Sequence, residues 1–487
     1  MVREADVPAF AAAHRDRTAG ESGAPAMTEV ISIDTPALGD RSYLATDGRV
    51  ALVVDPQRDI DRVLAAAAAR GVRITHVFET HIHNDYVSGG LALARVTGAA
   101  YHVNAEDEVT FDRAPVTDGD AIAVGDTMLV QVIATPGHTF THLSYALQDT
   151  ATGRVTAVFT GGSLLYGSTG RPDLLGPAHQ ATLAAAQHAS ARRLAQLPDD
   201  TPVCPTHGFG SFCSASQITG TQSGGTASTI GQERLANPVL RLDEQQYVAE
   251  LLAGLDAYPA YYAHMGPANA AGPGGPDLAP PAPADAAKLA ARIDAGEWVV
   301  DLRSRRAFAA GHLRGSLSFE HGGDFTNYLG WLIPWGTPLT LLGDTPEQVA
   351  AAQRDLARIG IDQLAGAATG TQQDWAGGQP LASFPVASFA DLTAVRHHRP
   401  VIVLDVRRAL EWADSHLDGA LHIPLHDLPA RIGEVPPGEV WVHCRSGYRA
   451  VIAASLLQAA GRHVVAVDDE FTRAGAAGLV LATGRAA

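Results

Sequence analysis

The chain has little cysteine: Cys204, Cys213 and Cys444 are the only three in 487 residues. An odd, small number argues against a disulfide framework and for a reducing compartment, which agrees with a cytoplasmic location. Lysine is nearly absent, with Lys288 alone among many arginines. Positive charge is in the minority: 35 Lys and Arg against 52 Asp and Glu give a formal charge of -17, which argues against nonspecific nucleic-acid binding. Long apolar runs are missing too. No stretch of about 18 uninterrupted apolar residues occurs, so no membrane span is expected. Met1 to Ala26 lacks the apolar segment of a secretory signal and reads as a flexible extension, with Met27 an alternative start.

What is present describes a folded protein of several domains: 46% of residues are hydrophobic and 18% charged. From Glu29 onward, short β-like runs alternate with Ala-rich helical ones. Strands are expected at Val30–Ile33, Tyr43–Ala45, Val50–Val54, Thr75–Glu79, Met128–Ala134 and Val155–Phe159; helices at Ile60–Arg70 and Thr182–Leu197. This order predicts two sheets sandwiched between helices over 27–262. Residues 263–285, rich in Gly, Pro and Ala, read as a linker. Beyond it one plan occurs twice. Val299-Val300-Asp301-Leu302-Arg303 returns as Val403-Leu404-Asp405-Val406-Arg407, and Gly311-His312-Leu313 returns as Ser415-His416-Leu417. Two copies of a small α/β domain, 286–375 and 384–485, are therefore expected.

Two stretches carry chemistry. The first is Thr80-His81-Ile82-His83-Asn84-Asp85-Tyr86, at the end of an apolar strand. Two histidines at i and i+2 with a carboxylate two further on can converge on one ion, and imidazole with carboxylate favours zinc or iron. His138, in Thr135-Pro136-Gly137-His138, and His207, in Pro205-Thr206-His207-Gly208, follow at later turns. His76, His102 and His142 are read as structural, and Cys204 and Cys213, which flank His207, as small buried residues.

Together these segments resemble the metallo-β-lactamase fold. Phe159-Thr160-Gly161-Gly162, Gly170-Arg171-Pro172-Asp173, Thr229-Ile230-Gly231-Gln232-Glu233 and Asn237-Pro238 resemble its persulfide dioxygenase branch in particular. The resemblance implies one Fe(II) held by two His and one Asp, with His81 and His138 as the histidines. Tyr86 stands where the two-zinc hydrolases of the fold carry a His, which disfavours a second metal. The family's aspartate belongs at Gly162. His83 is the first substitute ligand, with Asp85 and Asp173 behind it. Zinc, and hydrolysis, is the alternative.

The second stretch is Val442-His443-Cys444-Arg445-Ser446-Gly447-Tyr448-Arg449, running into an apolar helix. A cysteine between a strand end and a helix N-terminus sits in a cradle of N–H groups that stabilises a thiolate. Arg449 can hold an anionic sulfur donor through its planar fork. With Glu411-Trp412, His416 and Ile423-Pro424, the segment resembles an active rhodanese domain, in which Cys444 would carry sulfane sulfur as a persulfide. The middle copy has no cysteine, its strand running instead into Gly343-Asp344-Thr345-Pro346, and is expected to be a spacer or docking unit. The whole resembles bacterial fusion proteins of sulfide detoxification: an α/β chain with an N-terminal αββα metallo-β-lactamase sandwich and two rhodanese-like domains. The expected activity is persulfide dioxygenase and sulfurtransferase, with low-molecular-weight thiol persulfide, sulfite and thiosulfate as partners and no nucleic acid or membrane. A sulfur-relay protein with an inactive metal half is the remaining alternative. The sequence sets no oligomeric state, and a homo-oligomer is compatible with it.

Overall fold

In a computed structural model, residues 28–208, 210–215 and 227–484 are described; the expected extension 1–26 lies outside them. The β-like runs of the N-terminal half pair into two six-stranded sheets. The first holds β1 (Glu29–Thr35), β2 (Asp40–Thr46), β3 (Val50–Val54), β4 (Arg73–Phe78), β5 (Ala100–Asn104) and β6 (Ala114–Val116), adjacent in that order. The second holds β7 (Ala121–Val124), β8 (Met128–Ala134), β9 (Leu143–Asp149), β10 (Val155–Gly161), β11 (Pro202–Pro205) and β12 (Ser228–Thr229). Alternate side chains of each strand face opposite ways, so each sheet feeds two cores. Leu52, Val54 and Phe78 meet Val130, Tyr145 and Phe159 between the sheets. Ala51, Val53 and Val77 pack outward on the helices Asp61–Arg70 and Gly90–Thr97. Val158 and Val203 pack on the helix Gln180–Leu194. The four-layer sandwich expected from the sequence is thus present, each buried Val, Leu or Phe contributing about 1.5–3 kcal/mol.

Helix ends follow local chemistry. Gly71 stops the first helix with φ 66°. Thr229 and Gln232 form a capping box, and Asn237 caps the next helix ahead of Pro238. These segments of the family resemblance are therefore helix starts.

The segment expected to be a linker needs correcting over its first half. Tyr262–Ala271 is a helix, with Tyr262, Met265 and Asn269 buried. Small residues flanked by aromatics read as loose by composition, but they let this helix lie close against the first sandwich. The rest, irregular in conformation, is tied down: Arg58 Nε donates to the Gly274 carbonyl (3.2 Å), and Gln353 Nε2 to the Ala279 carbonyl (2.9 Å).

The C-terminal half contains two mostly parallel sheets of one plan. The first combines β13 (Trp298–Asp301), β14 (Leu317–Ser318), β15 (Leu339–Gly343) and β16 (Leu364–Thr369), all parallel. The second combines β17 (Val386–Ala387), β18 (Ile402–Asp405), β20 (Leu421–His422), β21 (Glu439–His443) and β22 (His463–Val467). The short β19 (His416–Leu417) pairs with β23 (Leu481–Ala482). The repeat extends to side chains. Asp301 binds Arg303 as Asp405 binds Arg407, at 2.6 Å in each. His312 stacks on Phe308 as His416 stacks on Trp412, with ring centroids 3.8 Å apart in both.

One apolar cluster runs through all three parts, from Tyr86 and Phe212 through Tyr328 and Trp331 to Cys444 and Val451. Asp468 accepts from Arg305 Nε and Arg306 Nε, both at 2.8 Å, and so clamps the middle unit to the last one. Among the described residues no helix is long and apolar enough to cross a membrane.

Candidate functional site

The strand β4 ends at Phe78, and the chain after it turns beneath β3, where Asp55 is the fixed point. Asp55 has φ 50°, the only positive φ of a non-glycine residue among those described. Its carboxylate accepts from the Thr80 N–H and Thr80 Oγ1, both at 2.7 Å, and from Thr206 Oγ1. One aspartate thereby joins the end of the first sheet to the turn after β11. A backbone held in the left-handed region costs of order 1–3 kcal/mol, which these three bonds offset. Sequence reading missed Asp55; Asp-Pro after an apolar strand was the available signal.

Three imidazoles converge above it. His81, His138 and His207 offer nitrogen atoms within 4.8 Å of one another, all three residues buried. Their outer nitrogens are spoken for. Thr80 Oγ1 spends its proton on Asp55, so it accepts from His81 Nδ1 at 2.9 Å. His138 Nδ1 donates to the Arg171 carbonyl (2.8 Å), and His207 Nδ1 donates to Asp40 Oδ1 (3.0 Å). Each Nε2 is thus left pointing inward. His138 Nε2 has no hydrogen-bond partner, and His81 Nε2 lies 3.5 Å from His207 Nε2. Two nitrogens on one tetrahedral zinc stand about 3.4 Å apart.

The charge balance also fits a cation. Asp40, Asp55, Glu79 and Asp85 are all buried here, and both oxygens of Asp85 lack hydrogen-bond partners. Burial presses the Asp40 carboxyl up to about 7, and the Asp85 charge adds to it. Burial opposes a charge on His207, but Asp85 and Asp40 raise it well above the ordinary histidine range. A divalent ion beside the three Nε2 atoms would replace that proton and neutralise the surplus of carboxylates.

The sequence-predicted ligands separate in space. His81 and His138 lie together as expected. His83, the first substitute, turns the other way: its Nε2 lies 3.2 Å from Glu79 Oε2, 3.3 Å from Asp55 Oδ1 and 3.0 Å from Tyr86 Oη. Burial opposes its charge, but Asp55 and Glu79 raise it to about 9, while its Nδ1 has no hydrogen-bond partner and lies 4.0 Å from Asp85 Oδ1. His83 therefore lies outside the three-imidazole cluster but inside two other groupings that could hold an ion, one with Asp85 and His207 and one with Asp55 and Glu79. Asp85 lies 3.2 Å from His207 Nδ1, and His83, Asp85 and His207 form a second close grouping. Asp173 is tied to Arg171 by two bonds of 2.7 Å. His207, absent from the expected ligand set, completes the three-nitrogen cluster instead.

Gly162 stands beside this cluster, and a Cβ there would lie 2.3 Å from His138 Cδ2. Its N–H donates to His142 Nε2 (3.0 Å), which fixes His142 as a structural acceptor. His76 and His102 stack with centroids 5.4 Å apart, and burial pushes His102 down to about 4. Burial raises the Cys204 thiol to about 12 and also lifts Cys213, so both are protonated.

The second centre lies at the end of β21. Cys444 is buried, and its Sγ accepts from the Gly447 N–H at 3.2 Å. Gly447, with φ 93°, precedes the helix Tyr448–Ala459, and a Cβ there would lie 2.1 Å from Asp468 Oδ1. Arg449 is paired within the protein. Its Nη1 and Nη2 already hold Glu411 at 2.6 and 2.7 Å, so the fork expected for an anionic donor fastens the loop to the helix Ala409–Asp414. The loop also touches the middle unit, where Tyr448 Oη donates to the Glu320 carbonyl (3.1 Å).

Comparison with known proteins matches the N-terminal sandwich and the last unit of the chain. The metallo-beta-lactamase superfamily profile matches residues 38–207, and the rhodanese-like domain profile matches 388–473. A hydroxyacylglutathione hydrolase of Polaromonas sp. is 35% identical over 163 residues, 33% of this chain, which spans 57% of that relative's length. One from Rhodobacter capsulatus is 31% identical over 218 residues, covering 40% of this chain and 80% of the relative. The mitochondrial persulfide dioxygenase of Homo sapiens is 29% identical over 236 residues, 47% of this chain and 82% of the relative. The crystal structure of a metallo-beta-lactamase from Staphylococcus aureus superposes with a TM-score of 0.62 at 27% identity, covering 71% of this chain and 99% of that one. The chain belongs to the metallo-beta-lactamase superfamily and carries a rhodanese-like domain at its C-terminal end.

Proposed function

We propose that the protein is a persulfide dioxygenase and sulfurtransferase that handles one class of small sulfur compounds at two centres. The observation that carries this reading is the coexistence, in one chain, of a single three-imidazole cluster and a cysteine cradled at a helix N-terminus. Tyr86 supports a one-ion centre, because its phenol lies against His83 and the Asp55 carbonyl and offers no second site an imidazole.

His81, His138 and His207 would hold the ion, with Asp85 beside them. Iron(II) there would supply the activation of dioxygen. The chain's own residues do the positioning. Thr80, the Arg171 carbonyl and Asp40 fix the three ring orientations, and Asp40 holds the proton on His207 Nδ1 so that Nε2 is free to face the ion. The substrate would be a low-molecular-weight thiol persulfide, oxidised with dioxygen and water to sulfite and thiol. At the other centre, the Cys444 thiolate attacks a sulfane sulfur, the donor leaves as its thiolate or as sulfite, and the Cys444 persulfide passes sulfur to an acceptor.

A zinc hydrolase is the second reading, favoured by the all-nitrogen ligand set and by the hydroxyacylglutathione hydrolase relatives. Metal analysis with paired assays separates the two. About one iron per chain with persulfide-dependent oxygen uptake supports the first. Stoichiometric zinc with thioester cleavage replaces it by the second. Cys444→Ser abolishes thiocyanate formation from thiosulfate and cyanide; survival of that activity would overturn the assignment of Cys444.

A further inference from the structure

The cavity over the Cys444 loop has a volume of about 480 Å³, and its walls come from all three parts of the chain. Ser446 and Arg449 belong to the loop itself. Phe212 reaches in from the first half, and Asp324 and Tyr328 from the cysteine-free middle unit. These walls also touch one another: Phe212 meets Tyr328 edge-on at 6.3 Å, and Tyr328 meets Tyr448 at 6.1 Å. The middle unit is part of this site's construction.

The charges on the walls are balanced. Arg408, Arg445 and Arg449 oppose Asp324, Glu411 and Glu470, three cations against three anions. The Arg449 fork is already matched by Glu411. A dianion such as thiosulfate therefore finds no net positive side-chain charge on these walls. A small molecule with both an ammonium and a carboxylate finds a partner for each. Asp324 is the carboxylate among these that the middle unit supplies, with the Arg449 and Arg408 charges near it. It precedes the helix Phe325–Leu332 but makes no capping bond to it, and it stands exposed to the cavity.

We propose that Asp324 of the middle unit is a specificity residue of the Cys444 site, selecting thiol persulfides that carry an ammonium group, such as an amino-acid persulfide. The inference rests on the reading of Cys444 as a sulfur carrier. The step is balanced without a further reactant: the Cys444 thiolate attacks the outer sulfur of R–S–SH, the S–S bond of the donor breaks, RS⁻ leaves and takes up a proton as RSH, and Cys444–S–SH remains.

The test uses the full chain under argon, so that no oxygen-dependent consumption competes. Sulfur addition to Cys444 is followed by intact mass, with cysteine persulfide and 3-mercaptopropionate persulfide as donors, which differ by one ammonium group. The native protein should load from cysteine persulfide with kcat/KM about three- to fivefold higher, the size of one partly exposed ion pair. Asp324→Asn should erase that preference through KM and leave loading from 3-mercaptopropionate persulfide unchanged, and Asp324→Glu should keep it. A native protein without the preference, or an Asp324→Asn protein that retains it, overturns the inference. If no donor loads Cys444 at all, the reading of Cys444 itself falls, and this inference with it.

Discussion

Gly162 and His138 are packed so tightly that a single methyl group at 162 would lie 2.3 Å from the imidazole edge. The position where the persulfide dioxygenase branch carries its aspartate is thus closed to any side chain while His138 stays where it is. Gly162→Ala should shift His138, lower metal content per folded chain, and cost about 1–3 kcal/mol by overpacking. Metal analysis and thermal unfolding of the variant check this, and native values in both would refute the packing argument.

The outer shell of His207 gives a second test. Asp40 accepts from His207 Nδ1 and sets which nitrogen faces inward. Asp40→Asn should weaken metal affinity by about tenfold, as removal of such a partner does elsewhere. His83→Asn should act differently. It strips the counter-charge from Asp55 and Glu79, costing about 3–5 kcal/mol, yet the folded fraction should still bind the ion. Equal loss of metal in His83→Asn and His207→Asn would place His83 among the ligands. Competition with a chelator measures both.

Acid should loosen the Cys444 loop through Glu411. Burial raises this carboxyl, but the hydrogen bonds and charge of Arg449 overcome it and hold it at about 2 instead of 4.5. A depressed carboxylate stabilises fully above its unfolded value. The contribution, roughly 3 kcal/mol, is therefore present above pH 4.5 and is lost as the pH falls toward 2. Acid unfolding of the native protein and of Glu411→Gln should converge across that window. Curves that stay parallel would show that Arg449 does not depend on this partner.

The Asp468 clamp separates two arginines that look alike in sequence. Arg305 is 30% exposed at its side chain and also reaches Glu320 at 2.9 Å, whereas Arg306 is 77% exposed. Arg306→Ala should change stability by less than about 0.5 kcal/mol, and Arg305→Ala by more. Hydrogen exchange in the 463–473 segment reports which arginine holds the two units together.

Much of this architecture could be read from the sequence because it depends on local signals. The alternation along Met128–Ala134 and Val155–Phe159 specified strands, and Gly71 specified a helix end. Cys444 was identifiable because strand, cysteine and helix are contiguous. What escaped depends on partners far along the chain. His207 and Asp40 are 167 residues apart, and Asp55 and Thr206 are 151 apart. The orientation of the two substitute ligands depends on distant partners in the same way. His83 and Asp85 sit in one turn, and only the tertiary position of Asp55, Glu79 and His207 decides which way each points. Arg449 was assigned by its chemistry to a ligand; its pairing with Glu411, 38 residues away, could not be read from the motif, and it lines the cavity over Cys444 as well.

Asn269, in the helix Tyr262–Ala271, donates to the carbonyls of His83 and Tyr86 and accepts from the Ser88 N–H, each at 2.8 Å. The metal-site turn is thus braced from behind by a residue that composition had assigned to the tether. The first half is therefore not separable at residue 262. A fragment cut there would keep every histidine of the cluster and lose the strut behind them, so an inactive fragment of that length would say nothing against the site. The bracing runs past the helix end at Gly272 as well, because Arg58 Nε holds the Gly274 carbonyl.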